Sequence, residues 1–155
     1  MNASDLKYLE PKFLKALEDR QSGRVDAALE AFRDLLKVEP RLPEPRMELA
    51  RILLEIGRLD DAEAEAREAL RVLEAGGQWN DDLPEHVVRS LAWSLVGEIL
   101  KERAATDDVV FGDPDRFKEI IAQSRAAFAK AAELDPADTV SGINAAELGE
   151  GTEES

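Results

Sequence analysis

His86 is the only histidine in the sequence, and there is no cysteine. One imidazole cannot build a multi-histidine metal site or pair with a thiolate, and without cysteine there is neither a disulfide nor a thiolate-bound zinc. His86 follows Pro84 at a helix start and reads as a surface or packing residue. The nearest thing to a phosphate loop, EAGGQW at residues 74–79, has neither the glycine spacing nor the lysine that cradles phosphates. DDVVFGDPDRFKE, from Asp107, puts Gly112 at the sixth position of a calcium loop. Positions three, five and twelve are then Val109, Phe111 and Lys118, so three required oxygen ligands are missing. Asp113 or Asp115 instead fits the cap of a helix opening near Pro114. With 34 acidic residues, neighbouring carboxylates occur by composition alone and do not mark a hydrolase. An enzyme working through the acids of this insert is the remotest reading, and no cofactor or metal is expected.

The elements that would position such groups are helices. Aromatics are 5% of the chain and Ala, Leu, Glu and Arg dominate, while hydrophobic residues at 44% suffice for a core. The net charge of −14 disfavours nucleic acid and anionic membrane surfaces as partners. No apolar run reaches membrane-spanning length, and MNASDLKYLEPKF lacks the pattern of a signal peptide, so a cytoplasmic location is expected. From Ala137 onward there are five acidic residues and no Lys or Arg, which reads as a solvated tail.

GRVDAALEAF from Gly23 returns as GRLDDAEAEA from Gly57, a shift of 34 residues. Arg24 falls on Arg58, Asp26 on Asp60, Ala28 on Ala62 and Leu36 on Leu70. Val25, Ala28, Leu29, Phe32, Leu35 and Leu36 recur at three- and four-residue steps, one face of a helix. Pro40 ends that helix, and Gly23 and Gly57 stand where a preceding helix must stop in a left-handed residue.

This pattern resembles the tetratricopeptide repeat family, whose 34-residue hairpin carries W-x2-L-G-x2-Y and then A-x3-F…P. Ala28, Phe32 and Pro40 occupy the second-helix positions of a repeat at about 9–42, although Lys12 stands where Trp is usual. A repeat at about 43–76 has Leu49, Ala50, Leu53 and Ala62, with Ala66 in place of Phe and Glu74 in place of Pro. In a third, at about 84–136, Trp93, Val96, Gly97 and Leu100 match the first helix, and Phe128, Ala131 and Pro136 the second. Trp93 is placed in the core. About 15 residues are inserted within this third unit.

The resemblance implies an all-α fold, a right-handed solenoid of antiparallel helix pairs in one domain over residues 1–148; the sequence itself adds a short polar capping helix at 138–148 and a disordered acidic tail at 149–155. The resemblance also implies a partner-binding groove formed by successive first helices. By position that groove presents Phe13, Leu17, Arg20, Met47, Arg51, Leu54, Leu91 and Lys101, suited to a helix or extended segment with apolar anchors and some acid. The family's carboxylate clamp is absent, since its positions hold Phe13, Leu17, Glu48, Leu91 and Leu95, which disfavours a co-chaperone role. Trp79, Val109, Val110 and Phe111 lie on the insertions, either packed on the body or offered to a partner. The functional expectation is a non-catalytic adaptor or scaffold for a protein or peptide partner. A homo-oligomerising assembly factor is the alternative.

Overall fold

The computed structural model describes residues 7–77, 83–137 and 139–153; the side chains of Phe111, Thr139 and 149–153 fall outside that description. The described regular elements are all helices, as the repeat pattern requires. The sequence reads as one domain; its contacts divide into two compact units, Met1–Leu83 and Pro84–Ser155.

Unit one holds α1 (Glu10–Gln21), α2 (Val25–Val38), α3 (Pro43–Glu55) and α4 (Leu59–Glu74). α1 pairs with α2 and α3 with α4, while α2 also packs on α3, so the two hairpins share a core. Leu9, Ala16, Phe32, Leu35, Leu42, Ile52 and Leu73 are buried in it. Small residues, Ala28, Ala50, Ala62, Ala66 and Ala69, are fully buried on the facing helices and let the backbones approach. Phe13 meets Phe32 edge to face, their ring centroids 5.8 Å apart.

Both turns of unit one close in the same way. Gly23 and Gly57 have φ of +82°, a conformation that costs a residue with a Cβ about 1–2 kcal/mol. The Gly23 N–H donates to the Arg20 carbonyl at 3.1 Å and the Arg24 N–H to Asp19 at 2.8 Å. The Gly57 N–H donates to Leu54 at 3.1 Å and Arg58 to Leu53 at 2.9 Å. These paired bonds satisfy the last carbonyls of the first helix, while the arginine already stands at the N-cap of the second. The repeated Gly-Arg is therefore a stop and a start written in two residues.

Unit two holds α5 (Glu85–Thr106), α6 (Asp108–Phe111), α7 (Pro114–Leu134) and α8 (Thr139–Glu153). The inserted residues lengthen the pair to 22 and 21 residues, against 12 to 16 in unit one. α5 and α7 run antiparallel: the Ser90 hydroxyl donates to the Ala131 carbonyl at 2.8 Å and Ser124 to Gly97 at 2.7 Å. A Cβ on Gly97 would lie 2.9 Å from the Phe128 ring, so the aromatic seats directly against α5 backbone. Trp93, expected in the core, is only half-buried. A ring of that size is rarely enclosed on all sides.

The segment read as a loop with Val109, Val110 and Phe111 is the single helical turn α6. Asp107 caps it, accepting the Val109 N–H at 3.0 Å. Asp113 caps α7, accepting from the N–H groups of Asp115 and Arg116, as its place before Pro114 predicts. The helix drawn at 138–148 continues as α8 to Glu153, into the stretch read as a tail. Gly149 and Gly151 lower helix propensity without ending it.

Candidate partner-binding face

In unit one the first-helix residues named from the sequence lie on α1 and α3, and Arg20 ties those helices together. Its Nη1 donates to Glu48 at 2.9 Å and its Nη2 to Glu55 at 2.7 Å. The expectation that Arg20 offers a cation to a partner is thereby altered, because two carboxylates of the neighbouring helix already engage it. Phe13 is half-buried against Phe32, and Met47 is buried, so both serve the hairpin interior more than its surface. Leu17, Arg51 and Leu54 are half-buried and retain an accessible side. Arg51 makes no ion pair among the described residues.

Around this face several other charges are paired. Asp19, buried at the foot of α1, accepts from Arg24 Nε at 2.9 Å. Arg46 reaches Glu65 at 2.8 Å and the Pro40 carbonyl at 2.9 Å, fastening α3 both to α4 and to the corner before it. At that corner Arg41 grips Glu39 through two nitrogens, at 2.9 and 3.3 Å, and this side-chain hydrogen bond holds the Glu39 carboxyl below its usual value. The Arg71 side chain does the same to Glu68 on α4. An arginine fork and a carboxylate match in plane and spacing, so such pairs orient helices even where exposure keeps their energy small.

In unit two, Leu91 is an exposed side chain of α5. Lys101 is exposed and donates to Asn144 Oδ1 on α8 at 3.1 Å, so it also serves to hold an adjoining helix. Among the insert residues, Val110 is 1% exposed and packs on the body, whereas Val109 is 75% exposed. The two readings of the insert thus divide between neighbours. Trp79 and the Phe111 side chain lie outside the described residues. His86 is exposed at the start of α5. No group of three metal-binding side chain types gathers among the described residues, and no described helix is long and apolar enough to cross a membrane.

Sequence reasoning missed Glu48 and Glu55 as partners of Arg20, and the buried hydroxyls of Ser90 and Ser124. The glutamates lie 28 and 35 residues from Arg20, close to one repeat away, and that spacing was the available signal.

The sequence model of the tetratricopeptide repeat family matches residues 19–74, the stretch from the end of α1 through α4. No curated protein matches the sequence. Among solved structures the chain is similar to a crystal structure of MamA at 16% identity, covering 90% of this chain and 86% of that one, with a TM-score of 0.37. A second crystal structure of MamA protein matches at 15% identity over 90% of this chain and 80% of that one, again at 0.37.

Proposed function

We propose, from the premise that residues 19–74 are tetratricopeptide repeats, that this protein is an adaptor whose α1/α3 face holds a segment of another protein. Repeats of this kind serve as protein–protein interaction scaffolds and are typically non-catalytic. The observation that supports this face is the accessible trio Leu17, Arg51 and Leu54 on two helices locked together by Arg20. A pre-formed surface loses little entropy on binding, so two apolar side chains can anchor a helix or extended strand of the partner. Arg51, carrying an uncommitted charge, favours an acidic residue beside those anchors. The cytoplasm is its expected setting.

The test is the double variant Leu17→Asp with Leu54→Asp. Affinity capture from the native cell, read by mass spectrometry, should lose the wild-type partner while circular dichroism retains full helicity. Unchanged capture by a folded double variant would overturn the α1/α3 assignment. Leu91→Asp and Lys101→Glu, examined separately, report whether the α5 positions contribute.

A further inference from the structure

Arg51 stands on α3 three residues after Glu48 and four before Glu55. Those are the spacings at which opposite charges pair along a helix. Arg51 nevertheless makes no ion pair among the described residues, and both glutamates are taken by Arg20 of α1. One nitrogen of the Arg20 fork binds Glu48 at 2.9 Å and the other Glu55 at 2.7 Å, so a single guanidinium spans about two turns of α3. The Arg20 and Glu48 side chains are both 23% exposed, which shields their bond from water more than an ordinary surface pair. Arg33 and Arg116 also leave a glutamate at helical spacing, Glu30 and Glu119, but they are exposed, where such pairs are weakly held. Arg51 is half-buried.

We propose that Arg20 is a positioning residue that keeps Arg51 open to a carboxylate of the partner segment. Arg20 holds the Glu48 and Glu55 carboxylates toward α1; without it, either can turn onto Arg51 along α3. Arg20, Arg51, Glu48 and Glu55 together carry no net charge, so no positive field gathers acid here. What selects a carboxylate is the planar Arg51 guanidinium, whose parallel N–H groups match its two oxygens beside the apolar anchors Leu17 and Leu54. What Arg51 receives rests on the adaptor reading. That Arg20 keeps Arg51 unpaired does not, and it is measurable without a partner.

The probe is phenylglyoxal, which adds to unpaired guanidinium groups, with each arginine of the full chain followed by peptide mass spectrometry. Arg51 should react at least about twofold more slowly in Arg20→Gln than in wild type. Adding Glu48→Gln and Glu55→Gln to Arg20→Gln should restore the rate, although the bridge between α1 and α3 stays broken. A purely structural role for Arg20 predicts no such recovery. Arg33, Arg116 and Arg125, exposed and without an ion pair among the described residues, are references in the same digest. Circular dichroism reports folding; should Arg20→Gln unfold, Arg20→Lys, whose ammonium lacks the fork that spans both carboxylates, should give an intermediate rate. Capture of the wild-type partner should fall in Arg51→Gln and Arg20→Gln and return in the triple variant. An Arg51 rate unchanged in folded Arg20→Gln overturns the proposal, as does a triple variant that stays slow or a capture indifferent to Arg51→Gln. Unchanged capture by Leu17→Asp with Leu54→Asp would overturn the adaptor reading and leave the Arg51 rates as they are, so the two failures are distinguishable.

Discussion

Hairpins α1/α2 and α3/α4 differ from α5/α7 in where the geometry of a helix pair is fixed. In unit one a three-residue turn with a left-handed glycine sets it from the end, and the same backbone hydrogen bonds recur at Gly23 and Gly57. In unit two the tip spans residues 107–113 and contains α6, with no positive-φ residue there. The pair is fixed instead along its length, by Phe128 against Gly97 and by two serine hydroxyls on facing carbonyls. A tight turn demands one residue type at one position; an interior lock demands several residues matched across two helices. Insertion is therefore tolerated at the α5/α7 tip, where the geometry is not set.

If this contrast holds, the largest loss comes from the interior of unit two. Phe128→Ala should cost about 3–5 kcal/mol in urea unfolding followed by circular dichroism, since the ring is fully buried against backbone that cannot collapse onto the void. A loss below about 1 kcal/mol would mean that the α5/α7 pair is held elsewhere. Gly57→Ala should cost about 1–2 kcal/mol although a Cβ there meets nothing within 4 Å, because the penalty is conformational. Gly57→Asn, which tolerates the left-handed region better, should recover part of it.

The smallest effect concerns the carboxylates of unit one. Glu39 and Glu68 are held below their usual values by side-chain hydrogen bonds from Arg41 and Arg71. A depressed folded value stabilises the fold at pH above the unfolded carboxylate range, and that contribution disappears as pH falls through the folded value. NMR titration should find both carboxyls titrating low, and Arg41→Gln should return Glu39 toward its ordinary value. An unmoved Glu39 would show that Arg41 does not bind it in solution.

The parts of this molecule that repeat were the parts that could be read. A 34-residue period identifies the glycine turns, and helical periodicity puts Phe32 on the core face, because both are local signals with one physical solution. The site was less legible. The resemblance puts Phe13, Arg20 and Met47 on one face, but it does not say which side chains meet across helices. Arg20 finds its carboxylates a repeat away, and Met47 is covered. The insert shows the same limit: Val109 and Val110 are adjacent and chemically identical, yet one is exposed and the other buried. Which of the two faced inward depended on a single capped helical turn.

The two serine bonds of unit two have a mechanical consequence. Ser90 and Gly97 lie seven residues apart on α5, so the bonds sit about 10 Å apart along a rod roughly 30 Å long. Sliding one helix past the other by a single residue would break both at once and drive Phe128 out of its glycine notch. The pair therefore behaves as a bar with two catches, stiff against axial shear. Load applied at its far tip would be carried to the rest of unit two without loss of register.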